Sequence, residues 1–414
     1  MLTLNEAFAR ALSANPSVGI ARADVEIAEA RRALTRSFIL PRISAGGDFT
    51  RNSEQAAFGS GPDARVLLPR NDWGYRLTLR QPLFAGLRDL RAYEQARLAI
   101  TAEREGVVDT ENVTLLQVGA DYLALSEAEA LITVEQRNLE LARRRMRQAT
   151  DFYEVGEVTR VDVLRAEAGI KAAERQLVIA QAARDAAGSR LRTELALDEE
   201  IRGVPPGEFL PSLPAEAELL RRAADGSPLV RQARLGVQIA ELEVKKQRGA
   251  YMPTLFLDGA WLRQKSSFPS DNYGFLALNL DVPLFTGGET RARVREAERL
   301  VAQARLRAED AQRGIQEEVR RALLDVKTAR TLLGLAREEL NAAEQEHAET
   351  FELYRAQEAT ALDLETAETA LAQAQRRVVS AGVAVQSAEL RVWYLTGQLK
   401  QVAMPAASEQ EIGS

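Results

Sequence analysis

The second half of the chain repeats the first in register, and this constrains the fold more than any single motif. Pro16 and Pro41 return as Pro228 and Pro253, 212 residues on. Pro82, Phe84, Gly86, Tyr153, Thr159, Asp162 and Glu167 return as Pro283, Phe285, Gly287, Tyr354, Thr360, Asp363 and Glu368, 201 residues on. The offset drops by 11 between Pro41 and Pro82, so the second half has the shorter connection there. A repeat this long is a duplicated structural unit rather than a solenoid module. The reading divides the chain into a first repeat (1–201), a Pro-rich linker (202–215), a second repeat (216–400) and a disordered tail (401–414). The linker, "RGVPPGEFLPSLPA", holds four of the 14 prolines.

Each half follows one plan. A helix begins at Asn15-Pro16 or Ser227-Pro228, where the first residue can cap and Pro suits the first helical position. It ends before Pro41 or Pro253, because a residue preceding Pro avoids the helical region. A shorter helix precedes each, the first opened by a Thr3-x-x-Glu6 capping box. Two strand-like stretches follow, 42–51 with 73–81 and 254–263 with 273–282. One face carries Ile43, Ala45, Gly47, Phe49, Trp73, Tyr75, Leu77 and Leu79, then Leu255, Leu257, Gly259, Trp261, Leu276, Leu278, Leu280 and Val282. The other carries Asp48, Arg76, Arg80, Asp258, Asn279 and Asp281. That is the period of a strand with two unlike faces. Each half therefore makes one long hairpin (42–84 and 254–285), with polar loops at 52–72 and 264–272.

"QPLFAG" and "VPLFTGG" then turn strand into helix. Pro82 and Pro283 are expected to end the ladder by removing a donor, and Gly86 and Gly287 to let the chain bend. No proline occurs from 87 to 153 or from 288 to 354. These runs open long helix pairs over 87–197 and 288–397. A helix of about 65 residues is ~100 Å long. Val118, Leu125, Ile132, Leu139, Met146 and Tyr153 recur every seven residues, matched by Val319, Val326, Leu333, Leu340, His347 and Tyr354. A sustained period of seven implies left-handed supercoiling. The intermediate positions are mixed (Glu129, Gln136, Arg143), so the seam reads as thin. The far turns repeat as "YEVGEVTRVDVLRAE" and "YRAQEATALDLETAE". Thr159-x-x-Asp162 and Thr360-x-x-Asp363 have the form of capping boxes. Gly156 suits a left-handed helix end. Gln357 stands in its place in the second half, which predicts a different backbone at that turn.

Charged residues make up 28% of the chain and aromatics only 6%, a mix that favours long helices over compact domains. The net charge of −6 gives nucleic-acid binding no support. The absence of Cys excludes thiolate metal sites and cysteine nucleophiles. No apolar run approaches the roughly 18 residues of a spanning helix. The start, "MLTLNEAF", has no basic and apolar leader, so the protein is either cytosolic or has lost a signal peptide.

Amphipathic strands need an apolar medium on one face. Four strands cannot close a membrane barrel, since the smallest have about eight, and an open sheet in lipid leaves unpaired edges. Several copies must each lend four strands, and three copies give twelve and a lumen. The fold class is thus an α+β membrane protein: a long coiled-coil α-helical barrel joined to a transmembrane β-barrel.

Asn15-Pro16, Leu40-Pro41, the two PLF-x-G corners and the Gly156…Thr159…Asp162 turn resemble the TolC-like outer membrane factor family over almost the whole chain. The resemblance implies a homotrimer with a 12-stranded barrel in outer-membrane lipid and a periplasmic helical barrel in a Gram-negative-type bacterium. It also implies a periplasmic adaptor (membrane fusion protein) and, through it, an inner-membrane pump as partners. The expected function is the exit duct of a tripartite efflux or type I secretion system, gated at the periplasmic helical tips. By position the adaptor-contacting tips would be Gly156, Val158, Thr159 and Asp162, with Ala359, Thr360 and Asp363 in the second half. The competing reading is a soluble coiled-coil scaffold or periplasmic adaptor-like protein, which does not require lipid-facing strands.

Catalytic chemistry finds no carrier. His347, the only histidine, falls on the seam where Met146 lies in the other half, and reads as a packed residue. It lacks imidazole or thiolate partners for a metal and a nucleophile for a triad. "GSGPDA" at 59–64 lacks the P-loop lysine and reads as a turn. No enzyme activity, cofactor or metal is expected. Glu154, Glu157, Asp162, Glu358, Asp363 and Glu365 crowd the turns. They read first as helix-end charges, and, repeated threefold, as an entrance acidic ring favouring cations. Trp73, Tyr75, Trp261 and Tyr273 suit the interfacial aromatics of a membrane barrel.

Overall fold

The computed structural model describes residues 2–59, 65–199, 201, 210–265 and 270–403. The chain forms two compact units, each built from both repeats: Met1–Arg22, Glu105–Arg231 and Asp310–Ser414, and Ala23–Arg104 with Gln232–Glu309. Of the "GSGPDA" stretch only Gly59 is described, and most of the 202–215 linker lies outside the described residues.

The second of these units is built on a sheet. Strands β1 (Arg42–Arg51), β4 (Asn71–Ala85), β5 (Thr254–Gln264) and β6 (Asn272–Asp281) form one antiparallel sheet in the order β1-β4-β5-β6. The two hairpins are thus zipped together through β4 and β5, with β1 and β6 left as open edges. The 52–72 connection contains a small ribbon, β2 (Ala56–Phe58) with β3 (Arg65–Leu68), that the sequence did not suggest. Register puts the apolar set on one face: Phe49 opposes Trp73, Ala45 opposes Leu77, Leu77 opposes Trp261 and Gly259 opposes Leu276. The opposite face holds Arg80 against Asp258, 3.6 Å apart, and Asn279 donating to Asp258 at 2.7 Å. Arg80 also lies over the Phe256 ring at 4.9 Å.

Two expectations change here. Tyr273 opposes Leu262, so it stands on the polar face, apart from Trp73, Tyr75 and Trp261. A one-residue step in a strand moves a side chain to the other face. Pro82 does not end its ladder: β4 runs on to Ala85, pairing Phe84 with Leu255 across a register shift between Pro82 and Phe84. The ladder with β1 has already stopped at Arg80, and a bulge absorbs the missing donor. In the second half β6 stops at Asp281, ahead of Pro283, as expected.

The helical unit contains α1 (Leu4–Ala14) and the start of α2 (Pro16–Ser37). It also holds the larger parts of two 67-residue helices, α3 (Arg88–Glu154) and α7 (Glu289–Arg355). Their returning partners are α4 (Arg160–Glu194) and α8 (Ala361–Leu395), and α5 (Glu216–Gly226) leads to α6 (Pro228–Arg248). Thr3 caps α1 as read: its N–H donates to Glu6 at 2.8 Å, and the Glu6 N–H donates to its hydroxyl at 3.2 Å. Phe8, Leu115, Leu125, Leu191 and Leu390 centre the largest apolar cluster. The heptad seam on α3 holds through Met146, whereas Tyr153 at its end is exposed, and the seam is not thin. A second stripe lies beside it, made of Ala128, Ala142 and Ala149 on α3 and Ala322, Ala329, Ala336 and Ala343 on α7, all buried. Small side chains at alternate seam positions let the helices approach closely and complete the knobs-into-holes contact. Glu135 stands in the same stripe and accepts from Nε and Nη2 of Arg376, at 2.5 and 3.0 Å.

The expected tail begins inside a helix. Short α9 (Leu399–Ala403) takes its first three residues. Leu399 is fully buried, and Lys400 pairs with the buried Glu111 at 2.9 Å, which also receives Arg22 at 3.1 Å. Residues 404–414 lie outside the described ones.

Candidate functional site

Two of the places with left-handed backbone lie where the repeats correspond and the chain turns. The first is the pair of far helical turns. At the end of α3, Gly156 takes φ +81, its N–H bonds to the Tyr153 carbonyl at 3.0 Å and that of Glu157 to Phe152 at 2.8 Å. At the end of α7, Gln357 takes φ +63, and its N–H and that of Glu358 repeat both bonds at 3.1 and 2.8 Å. The expected difference between the turns is therefore absent. Both close in the same left-handed geometry, and Gln357 bears the steric cost that Gly156 avoids. Gln357→Gly should accordingly slow hydrogen exchange of the second-turn amides by a few-fold, because about 1–2 kcal/mol of strain is relieved against a smaller loss from unfolded-chain freedom.

Asp162 and Asp363 lock the next helices. Oδ2 of Asp162 accepts from the Thr159 N–H at 3.0 Å and its hydroxyl at 2.7 Å. Asp363 receives the same two bonds from Thr360 at 2.9 and 2.6 Å, and its own N–H donates back at 3.2 Å. The Thr159 hydroxyl is the first cause that holds the Asp162 carboxyl below the usual 3.8, and Thr360 does the same for Asp363. A depressed carboxyl stabilises the fold above its unfolded pKa and loses that contribution as pH falls through the folded value. The tips should therefore fray first in acid, below about pH 3.8. Amide exchange at residues 158–163 and 359–364 should rise there before that of the seam. Equal loss in both places would contradict the assignment.

Val158 and Ala359 are half-buried beside these caps, while Glu154, Glu157 and Glu358 project into solvent and Glu365 is half-buried. Behind them lies a group the sequence did not single out as a site. Arg145 on α3 and Glu368 on α8 pair at 2.8 Å with side chains only 9% and 14% exposed. Burial raises the Glu368 carboxyl above 4.5 and outweighs the pull of Arg145; neighbouring Glu365 adds to the rise. Gly169 on α4 makes room for the guanidinium, since a Cβ there would lie 2.1 Å from Arg145 Nη2. Tyr354 packs against Phe152 at 5.8 Å, is 4% exposed, and its hydroxyl has no partner among the described residues. Burial, and then the Asp162 charge, push that phenol up. The four long helices thus meet here around one ion pair and one aromatic pair. His347, about two turns back, stacks on Phe351 at 6.2 Å, and burial pushes its pKa below 6.5. No cluster of three metal-ligating groups occurs among the described residues.

The second place is the pair of strand-to-helix corners. Gly86 and Leu87 are both left-handed (φ +63 and +61), as are Gly287 and Gly288 (+63 and +87). The first corner is packed shut. A Cβ on Gly86 would sit 2.1 Å from the Gly249 carbonyl oxygen, and one on Gly249 would sit 2.2 Å from that of Gly86. Gly249 opens the 3-10 turn Gly249–Tyr251 at the end of α6. The second corner is bare: nothing among the described residues lies within 4 Å of a Cβ on Gly287, and Leu284 and Phe285 beside Pro283 are 93% and 89% exposed. Two copies of one motif meet opposite conditions.

The comparisons agree with this geometry. The family model described as "Outer membrane efflux protein" matches residues 8–196 and 219–398, one segment per repeat. The outer membrane efflux protein BepC of Brucella suis is 25% identical over 94% of this chain and 86% of its own length. The outer membrane protein TolC of Escherichia coli is 23% identical over 99% and 83%. Among solved structures, CusC superposes with a TM-score of 0.83 at 17% identity over 95% of this chain and 92% of that one. VceC of Vibrio cholerae gives 0.79 at 18% identity over 95% and 96%.

Proposed function

The chain belongs to the outer membrane efflux protein family, and on that premise we propose that three copies assemble into one exit duct. Each copy lends four strands to a 12-stranded wall in the outer membrane and its long helices to a periplasmic tube. The duct is a passive conduit, not an enzyme. The observation that carries the trimer is the mismatch between the corners. Inside one chain, the first corner is covered by the end of α6 through Gly249 and Met252. The repeat places Ser37 and Leu40 at the equivalent points after α2, and Phe38, Ile39 and Leu40 are exposed. The bare second corner of one copy therefore fits the α2 end of the next, in the direction that joins open edge β6 to open edge β1. A heterologous contact of this kind closes into a ring when its rotation returns on itself, which three four-stranded copies around one barrel would do.

The chain has no cysteine, so paired thiols give a clean test. Leu40→Cys with Leu284→Cys, treated with a short bismaleimide in membranes, should yield dimers and trimers on a denaturing gel. Monomer alone would overturn the arrangement.

Gating belongs to the tips. Gly156, Val158, Thr159 and Asp162, with Ala359, Thr360 and Asp363, form the surface offered to a periplasmic adaptor, which links the duct to an inner-membrane pump. Docking shifts the tips from a closed to an open arrangement. Glu154, Glu157, Glu358, Asp363 and Glu365, repeated by threefold symmetry, give the entrance a negative potential. Planar-bilayer reversal potentials should favour cations, and anion preference would remove the acidic ring. The Asp162→Ala, Asp363→Ala double variant should weaken closure or adaptor binding; unchanged values for both would remove the tips from the mechanism.

A further inference from the structure

The apolar face of the sheet carries a pattern that the duct does not use. At the hairpin-loop ends of the strands, three cations stand on this face. Arg51 is the last residue of β1, two beyond Phe49. Arg263 opposes Tyr75 on β4. Lys265 continues past β5, and its N–H bonds to the Trp73 carbonyl at 3.0 Å, which places it opposite Trp73. The cations flank Phe49, Trp73, Tyr75 and Trp261, with the Trp73 and Tyr75 rings 5.5 Å apart. Gly47 leaves room for the Tyr75 ring, since a Cβ there would meet its Cδ1 at 3.3 Å.

Two features give the patch direction. The aspartates of the four strands, Asp48, Asp72, Asp258 and Asp281, all stand on the opposite face, and none of the three cations has an ion pair among the described residues. The helix-proximal end of the same face is Ile43, Leu79, Leu255 and Leu280, with no charge. The face is thus basic at one end only.

We propose that this patch docks the phosphate groups of a phosphorylated glycolipid in the outer leaflet. The assignment rests on the membrane-barrel reading, in which the hairpin loops face outward. Arg and Lys stems lie along apolar surface while their heads reach the headgroup layer. Arginine forks match phosphate oxygens bidentately. The aromatic rings hold the level of the interface. Clustered cations beside an apolar surface are the general signature of anionic headgroup recognition.

The test uses the purified full chain in detergent, titrated with bis-phosphorylated lipid A and with its dephosphorylated form, read by native mass spectrometry. The wild type should bind the phosphorylated lipid at least ~10-fold more tightly. Arg51→Gln, Arg263→Gln, Lys265→Gln together should erase that preference. Arg42→Gln, Arg76→Gln, on the polar face, should keep it. Equal binding of the two lipids by the wild type, or an intact preference in the triple variant, overturns the site. If the triple variant does not fold, the wild-type comparison decides alone. Conductance of the same wild-type preparation in phosphatidylcholine bilayers separates the two readings. Conductance without lipid preference removes the site and keeps the duct; preference in a preparation that neither conducts nor yields crosslinked trimer keeps the site and removes the duct.

Discussion

Gly249→Ala should remove most of the folded sheet unit, a loss above about 4 kcal/mol. One methyl group is enough because its position is already occupied by backbone. The new Cβ would lie 2.2 Å from the Gly86 carbonyl oxygen and 2.9 Å from Arg88 Cγ. A side chain could rotate away, but the Gly86 carbonyl is fixed by a left-handed residue between β4 and α3. Relief requires moving the strand end or the helix start, which the close-packed interior resists. Gly86→Ala should do the same, with about 1–2 kcal/mol of left-handed strain added. Gly287→Ala gives the contrast. Nothing among the described residues of one chain lies within 4 Å of its Cβ position, so a single copy bears only the backbone strain, and the larger loss should fall on trimer yield. Circular dichroism melts read the first effect and crosslinked trimer fraction the second. Equal behaviour of Gly249→Ala and Gly287→Ala in the melt would refute the packed corner.

Arg145→Leu should destabilise the helical unit by about 3–5 kcal/mol, the range for removing one partner of a buried pair. It leaves the Glu368 carboxylate desolvated beside Glu365 with no compensating charge. The double variant Arg145→Leu, Glu368→Leu should recover most of the loss, because an apolar pair of similar volume is often neutral. The pH dependence has a definite sign. A carboxyl raised in the folded state favours folding at low pH, and that contribution fades as pH rises through its folded pKa. Without Arg145 the Glu368 pKa climbs further. The deficit of the single variant should therefore shrink on acidification from pH 7 towards 5. A deficit that stays constant on acidification would assign the defect to packing alone, and one that grows would contradict the buried-carboxylate account.

Local chemistry was the legible part of this fold. The Thr3-Glu6, Thr159-Asp162 and Thr360-Asp363 boxes are each closed within four residues, so the sequence carries all their information. Strand alternation likewise put Leu77 and Leu276 on the right face. What escaped was non-local or chemically quiet. The alanine stripe has no hydrophobic signature to distinguish Ala336 from any exposed alanine, and only the partner helix reveals it. Arg145 and Glu135 look like solvent-facing charges until α8 supplies Glu368 and Arg376. The bulge at Pro82 depends on β5, 170 residues away. Gln357 escapes sequence reasoning because glycine is a preference at that position and not a requirement; the surrounding turn imposes its geometry on a residue that merely tolerates it.

The sheet's two unpaired margins have a consequence for biogenesis. A newly made copy carries rows of free amide groups along β1 and β6 and an uncovered Leu284-Phe285 pair. Such a species is sticky in water and unsealed in lipid. With the proposed trimer, its survival would depend on how soon it meets siblings, and maturation would obey mass action. Dilute synthesis should leave a soluble precursor exposed to proteases, and escort by a holdase would be most valuable at that stage.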